Sequence, residues 1–507
     1  MTVEAMDTLE GNYDLLVIGG GINGVGVARD AAGRGIRVAL CDRGDLGGAT
    51  SMASSKLIHG GLRYLEQRQW RLVRESLAER EVLMRLAPHL VRPLRFVLPH
   101  APGLRPKWMI RAGLWLYDRL GGVSTLPQSR AVDLRKPPFQ DDLDARFASG
   151  FSYSDCRVDD ARLVVVNALS AHTLGARILP RTACVRLTAT EGGWRADLES
   201  SAGQRGFVSA KAVVNAAGPW VEQLLREIAG LNVRPQVRLV KGSHIVVPRR
   251  IAGDHAYILQ NHDRRIVFLL PFERKFTLIG TTEVALAQPP AAMEVSDEEV
   301  RYLCDAANRY LRLPVQPGDV VWRYAGVRAL HDDGKASPTE VTRDYVLQLD
   351  HARYGAPILS VFGGKITTYR RLAEHALEKL SLVLQIAGRP WTATAPLPGA
   401  ATGHFDYVEF LKSMLTRCAA LPTGLVEGIV RRHGSSAIEL IGDAQTAHDL
   451  GTHFGAGLTA REVDYFIDRE WARTAEDVLW RRSKVGLHLS AAERAAVGDY
   501  IRRRVAA

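Results

Sequence analysis

Residues 13–42, YDLLVIGGGINGVGVARDAAGRGIRVALCD, leave little freedom in how this chain can begin to fold. Residues 15–18 form a short apolar strand, and Gly19, Gly21 and Gly24 follow it as G-x-G-x-x-G. Val25, Val27, Ala28, Ala31 and Ala32 then recur at helical spacing, and a second apolar strand, residues 36–41, ends in Asp42. Each position has a mechanical use. Gly19 permits a tight turn, Gly21 lets the backbone approach a pyrophosphate, and Gly24 lets helix pack on strand. The free N–H groups and positive dipole of the new helix attract phosphates. Asp42 stands where an acid can accept hydrogen bonds from a ribose diol. A lone G-x-G-x-x-G is often only a Gly-rich turn. Strand, turn, helix, strand and terminal acid in that order specify a dinucleotide-binding unit. The motif does not separate FAD from NAD.

The remaining length bounds the architecture. A chain of 507 residues is too long for one ordinary core, so two or three domains are expected. The first dozen residues are acidic and polar (Glu4, Asp7, Glu10), which does not fit a signal peptide. No apolar run approaches the roughly 18 residues of a spanning helix. The 5 cysteines are scattered without a C-x-x-C, so disulfides, zinc and iron–sulfur centres are not expected and no metal is assigned. A reducing cytosolic setting and small buried thiols fit this pattern. The net charge of +11 points to anionic partners: nucleic acid, an acidic membrane surface or a phosphorylated substrate. No recognised RNA-binding motif appears, so nucleic acid is not expected.

Residues 71–90 read as a helix ended near Pro88, and helical pattern returns after Asp159. Residues 123–150 look irregular. Alternating segments fall at 183–190 and 193–199, and the apolar stretch 212–214 runs into NAAGPW. Residues 236–282 read as a β-rich block whose Pro and charge breaks favour antiparallel strands. A helix at 296–312 and strands near 321–326 and 357–361 follow. FGGKITTYRRLAEHALEKL, residues 362–380, is a Gly turn opening a helix. Prolines 390, 396 and 398 mark a linker at about 386–398, before a helical remainder.

Several segments have chemistry of their own beside a bland reading. ATSMASSKLIHGGLRYL, residues 49–65, offers small side chains and hydroxyls to a flat ligand, or is simply a polar loop and helix cap. NAAG, residues 215–218, either leaves room beside a nucleotide or is a plain strand exit. The glycines of FGGKITTY can aim backbone N–H groups at developing negative charge, with Lys365 adding a cation; the alternative is an ordinary turn with a solvent-facing lysine. Arg328, amid apolar neighbours in YAGVRAL, is either a buried ion pair or a fork for phosphate oxygens. His244 interrupts a β segment, as a satisfied core histidine or a proton acceptor.

VIGGGINGVGVARDAAGRG, ATSMASSKLIHGGLRYLE, YSDCRVDDARL, VNAAGPW, KGSHIVVP, FGGKITTYR and the C-terminal LWRRSKVGLHL occur together and in order. In these segments the chain resembles FAD-dependent glycerol-3-phosphate dehydrogenases, the quinone-linked aerobic type, and more widely the D-amino-acid-oxidase-like flavoproteins. Asp42 replaces the Glu often found there. The resemblance implies a mixed α/β (α+β) fold. A Rossmann-like FAD-binding domain would comprise 13–90, 150–230 and 350–385. An antiparallel, substrate- and membrane-facing domain would comprise 91–149 and 231–349, and a helical cap 399–507.

It further implies noncovalent FAD held by Gly19, Gly21, Gly24, Asp42, Ser54, Ser55, Lys56, Leu57, His59, Ala217, Gly218, Gly363, Gly364, Lys365 and Thr367. Arg63, Tyr64, Thr281, Thr282 and Arg328 would bind glycerol 3-phosphate. His244, Arg328 and Lys365 would carry catalysis, with His59 a weaker proton acceptor. Electrons would pass to a membrane quinone, which calls for a peripheral protein on the cytoplasmic face of the inner membrane, expected as a homodimer. LRPKWMIRAGLWLYDR, residues 104–119, combines basic residues with Trp108, Met109, Leu114, Trp115, Leu116 and Tyr117 and suits the headgroup zone of an anionic lipid surface, or else is a core helix with exposed arginines. An oxidase that reduces oxygen, an amino-acid oxidase and a non-catalytic basic flavoprotein scaffold are the competing readings.

Overall fold

The computed structural model describes residues 9–66, 68–100, 105–231, 237–263, 265–290, 292–332, 344–401 and 405–506. Five parallel strands carry the dinucleotide motif. Their order is Pro357–Phe362, Arg205–Asn215, Gly11–Ile18, Val38–Cys41 and Arg177–Leu179, with Val346–His351 added antiparallel at one edge. Leu15 lies opposite both Val38 and Ala212, so the first strand is central and buried on both faces. Its continuous apolar run follows from that position, because a parallel strand covered on both sides has no polar face to show. Helices Ile22–Gly33, Asp160–Thr173 and Tyr369–Leu380 cover one face, burying Val25, Leu163 and Leu372. Thr182–Thr190 and Gly193–Ser200 form a hairpin on strand Arg205–Asn215. Trp194 is buried there, donating Nε1–H to the Pro357 carbonyl at 2.8 Å.

A second sheet of 10 strands lies beside the first and is almost wholly antiparallel. Its long central strand, Val237–Pro248, pairs with Phe276–Gly280 and Trp322–His331. The β-rich block read at 236–282 is therefore present from Val237 on; residue 236 lies outside the described residues. One junction departs from the antiparallel expectation: Ala256–Gln260 pairs in parallel with Val91–His100. The irregular reading of 123–150 missed strand Arg130–Asp133, which pairs with the start of Ser149–Val158. That strand is too short to show a two-residue period. The region after the proline-rich stretch is largely helical, from Tyr407–Arg417 to Ala491–Ala506, with one small hairpin at His453–Gly455 and Leu458–Thr459.

Segment 104–119 forms the helix Lys107–Leu120, with Leu104 outside the described residues. The structure divides its apolar residues. Trp108, Met109 and Trp115 are 70%, 41% and 55% exposed, whereas Leu114 and Tyr117 are buried. Tyr117 donates its hydroxyl to Asp155 at 2.7 Å. Leu114 and Tyr117 thus seat the helix on the body of the protein and are not available to an interface. No helix among the described residues is long and apolar enough to cross a membrane.

Candidate functional site

A cavity of about 960 Å³ is lined from both sheets. At one end stand Gly19, Gly21, Asp42, Ala217 and Gly218. Gly19 has φ +118°, and a Cβ there would lie 2.4 Å from the Ala216 carbonyl. Gly24 is not in the wall. A Cβ on it would lie 1.9 Å from the Gly19 carbonyl, so it serves the packing of helix on turn. Gly21, by contrast, faces the cavity, where only the Ser51 hydroxyl comes near its missing Cβ, at 3.1 Å. Asp42 accepts backbone N–H bonds from Gly20 at 2.6 Å and Gly44 at 2.7 Å, which shapes the turn around the motif. Burial nevertheless holds its carboxyl above the usual carboxylate range. Arg43 lies over the Trp220 ring at 4.2 Å, and the pair walls this end.

At the other end, Gly363 and Gly364 adopt φ +77° and +101°, the left-handed backbone that lets the loop turn ahead of Ile366–Thr368. Asn23, from the first turn of the dinucleotide helix, donates to the Gly363 carbonyl at 3.2 Å. The two loops are thereby joined across the cavity. A Cβ on Gly364 would lie 2.8 Å from Asn23 Nδ2. Ser55, Leu57, His59, Lys365 and Thr367 share this region of the wall. The glycine turn at Gly19 and Gly21, the helix N-terminus that follows it and the Gly363–Gly364 turn joined to it by Asn23 fit an extended dinucleotide of the FAD type.

Charged and hydrogen-bonding groups converge beside this second end. Arg63, Tyr64, His244, Thr281, Arg328 and Lys365 all line the cavity. Lys365 Nζ lies 3.7 Å from the Tyr64 ring centroid. Arg328 reaches Thr281 Oγ1 at 3.5 Å and Glu283 at 3.4 Å. Gly242 makes room for them, since a Cβ there would be 2.7 Å from Thr281 Oγ1 and 2.9 Å from the guanidinium. His244 is buried, stacks on Tyr324 at 4.9 Å and places Nε2 2.9 Å from Ser55 Oγ. Burial, reinforced by the positive charge of Lys56 and Arg328, holds its imidazole well below the ordinary histidine range. His59 is held to about 3 by burial and by Lys365. Both rings are therefore neutral near pH 7, with their basicity lowered by these surroundings.

Three expectations about individual side chains need correcting. Lys56 is outside the cavity wall: its buried Nζ donates to both Asp160 carboxylate oxygens at 2.9 Å and to the Met52 carbonyl at 2.8 Å. Asp160 opens a helix in the interior, where an unpaired carboxylate would be costly, and Lys56 is its counterion. Ser54 lines the cavity, but its hydroxyl is likewise given to Asp160, at 2.7 Å. Thr282 is buried away from the wall and donates to Glu299 at 2.8 Å. Only its neighbour Thr281 faces inward, as alternation along an extended segment requires.

Glu283, Asn23, Arg43 and Arg481 also line the cavity without having been singled out. Asn23 occupies a variable position of the glycine motif, where the pattern carries no information. Arg481 belongs to LWRRSKVGLHL, a segment noted for its resemblance, whose residues 480–484 read from sequence as an alternative basic membrane contact and not as a cavity wall. Its Nε donates to Asp45 at 2.6 Å, and Arg482 holds the same carboxylate through both Nη atoms, one of them at 2.9 Å. Asp45 itself lines the cavity, so the C-terminal region clamps the loop that follows Asp42.

Comparison with known proteins agrees with this geometry. The family described as FAD dependent oxidoreductase matches residues 14–370, and the C-terminal domain of alpha-glycerophosphate oxidase matches 390–502. A glycerol-3-phosphate dehydrogenase of Pseudomonas aeruginosa is 50% identical over 490 residues, covering 96% of this chain and 95% of that protein. A D-erythritol 1-phosphate dehydrogenase of Brucella abortus is 48% identical over 488 residues, covering 96% and 97%. Among solved structures, the glycerol-3-phosphate dehydrogenase of Bacillus halodurans complexed with FAD superimposes with a TM-score of 0.75 at 24% identity, over 97% of this chain and 94% of that one.

Proposed function

The chain belongs to the FAD-dependent oxidoreductases, and on that premise we propose that it oxidises sn-glycerol 3-phosphate at C2 to dihydroxyacetone phosphate. Bound FAD, noncovalent in this reading, supplies the acceptor for the C2 hydride. Gly19, Gly21 and the helix start at Ile22 would hold its pyrophosphate, and the Gly363–Gly364 turn would face its ring system. The observation that carries the substrate assignment is that Arg63, Arg328 and Lys365 line the same cavity as a buried His244, with Arg328 close enough to lower its basicity. Three cations suit a dianionic phosphate, and planar guanidinium forks suit its oxygens. Arg63 and Arg328 bind the phosphate, with Tyr64 and Thr281 completing the pocket. Lys365 keeps positive charge beside the reacting carbon. His244 takes the C2 hydroxyl proton on Nε2, the nitrogen now facing Ser55. Arrival of the phosphate offsets the nearby cations and raises the basicity of that ring.

The decisive experiment is flavin absorbance under anaerobic conditions. Stoichiometric glycerol 3-phosphate should bleach the yellow band, and an unbleached flavin would overturn the substrate assignment. The relative named for D-erythritol 1-phosphate gives a second reading, and that compound run beside glycerol 3-phosphate separates the two. Electron transfer onward to a membrane quinone is supported by helix Lys107–Leu120, whose exposed Trp108, Met109 and Trp115 alternate with Arg111 and Arg119 in the manner of an interfacial helix. A bilayer quinone should then be reduced faster than oxygen, whereas steady hydrogen peroxide release would favour an oxidase.

A further inference from the structure

Arg92 and Arg157 stand directly opposite one another in the antiparallel pairing of Val91–His100 with Ser149–Val158. Opposed residues in such a ladder have Cβ atoms about 4.5–5.5 Å apart, and like charges at that spacing repel. The Nε of each guanidinium is buried and has no hydrogen-bond partner, and no carboxylate among the described residues pairs with either side chain. The acids nearby are committed elsewhere. Glu273 is held by Arg431 through two bonds of 2.9 and 2.6 Å, and exposed Asp254 pairs with Arg249 at 3.4 Å. Arg92 meets an aromatic face: its Cζ lies 5.2 Å from the ring centroid of Tyr407, which opens the first helix of the C-terminal region. Burial and repulsion from Arg157 lower Arg92 to about 10, still charged at neutral pH, while burial and the positive charge of Arg431 lower Arg157, an effect that Asp254 partly offsets. Neither residue lines the cavity.

Two charged forks side by side, half-buried and without a paired acid, have the chemistry to receive an anion. We propose that Arg92 and Arg157 bind a phosphoryl oxyanion, free or carried on a small organic molecule, at the seam between the antiparallel sheet and the C-terminal helices. Facing guanidiniums can each present two N–H donors to a tetrahedral oxyanion, whose charge cancels their repulsion. Tyr407 closes the site from the other side of the seam. An anion there ties the C-terminal helices to the sheet and so stabilises the whole protein.

The test uses the FAD-loaded full chain and compares its melting temperature in sodium phosphate and in sodium chloride at matched ionic strength. Arg157→Gln and Arg92→Gln read the same site from opposite strands. Both should keep FAD and, in chloride, melt no lower than wild type, because each removes a repulsion. Phosphate should raise the melting temperature of wild type more than that of either variant. Any contribution from phosphate in the cavity is common to all three proteins and cancels in the difference. Equilibrium dialysis with labelled phosphate should find one more site per chain in wild type than in Arg157→Gln. A parallel series with phenyl phosphate distinguishes the sources: the same difference between wild type and variants means that the site accepts organic phosphates, and its absence there restricts the site to the free ion. Equal rises in all three proteins, with equal stoichiometry by dialysis, would overturn the proposal.

Discussion

Substituting two neighbouring glycines of the first motif should damage different things. Gly21 has φ −78° and ψ 177°, a conformation open to alanine, and its added Cβ would meet only the movable Ser51 hydroxyl at 3.1 Å. In Gly21→Ala the smaller freedom of the unfolded chain contributes about 0.4–1 kcal/mol of stability. Alanine is a poorer N-cap than glycine, which costs on the order of 1 kcal/mol. The apoprotein should therefore lie within about 1 kcal/mol of wild type. The new methyl, however, projects into the cavity where a pyrophosphate must approach the backbone. Losing two charge-assisted hydrogen bonds at about 1.5–3 kcal/mol each weakens FAD binding by roughly 3–6 kcal/mol, or about two to four orders of magnitude at 1.4 kcal/mol per decade. In Gly24→Ala the Cβ meets backbone, the Gly19 carbonyl, at 1.9 Å, so the fold itself should suffer. Flavin fluorescence titration gives the FAD dissociation constant, and apoprotein melting gives the stability. A Gly21→Ala protein that binds FAD within about threefold of wild type would refute the reasoning, as would a Gly24→Ala protein with wild-type melting.

Arg63→Ala and Arg328→Ala should each raise KM for glycerol 3-phosphate by roughly 10- to 100-fold, as expected for about 1.5–3 kcal/mol of charged hydrogen bonding, while FAD content stays unchanged; unaltered steady-state kinetics in both would remove them from the phosphate site. Trp108→Ser combined with Trp115→Ser should lower liposome co-sedimentation and bilayer quinone reduction but leave artificial-acceptor reduction intact; Leu114 is left alone because it is buried, and sedimentation equal to wild type would exclude this helix as the anchor. Glu462, held by Arg432 at 2.6 and 2.7 Å, is depressed to about 2, so its contribution, on the order of 3 kcal/mol, is present above pH about 4.5 and is lost as pH falls from there through 2. In Glu462→Gln the melting temperature should be lower at neutral pH and fall less over that acid range; a parallel fall in both proteins would show that another group carries the acid sensitivity.

The parts of this molecule that could be read from sequence are those whose chemistry is local. The turn at Gly19 and Gly21 and the one at Gly363 and Gly364 use backbone conformations or close approaches that only glycine serves well, so composition reports them directly. The helix Asp160–Thr173 announced itself through Asp159, whose side chain accepts from the Arg162 N–H at 3.2 Å. Side-chain destinations were less legible. Lys56 sits inside a segment that otherwise faces the cavity, but the need to pair Asp160, 104 residues away, decides where its ammonium goes. Tyr117 and Trp115 look alike in a helical pattern, and only the position of Asp155 on a distant strand separates the anchored ring from the exposed one. Glu283 was missed because its importance comes from Arg328, which lies on another strand.

The joint at Asp45 also sets a timetable. Its partners Arg481 and Arg482 lie 436 and 437 residues further along the chain. At about 5–20 residues per second, a ribosome needs roughly 20–90 s to travel from one side of this contact to the other. For most of that interval the nascent glycine motif is outside the ribosome, while the loop behind it lacks the two cations that fix its carboxylate. Cofactor capture in its final geometry is thus tied to the last stretch of synthesis, and a chain truncated shortly before Arg481 would have nearly the whole flavoprotein sequence and an unfinished wall around its nucleotide.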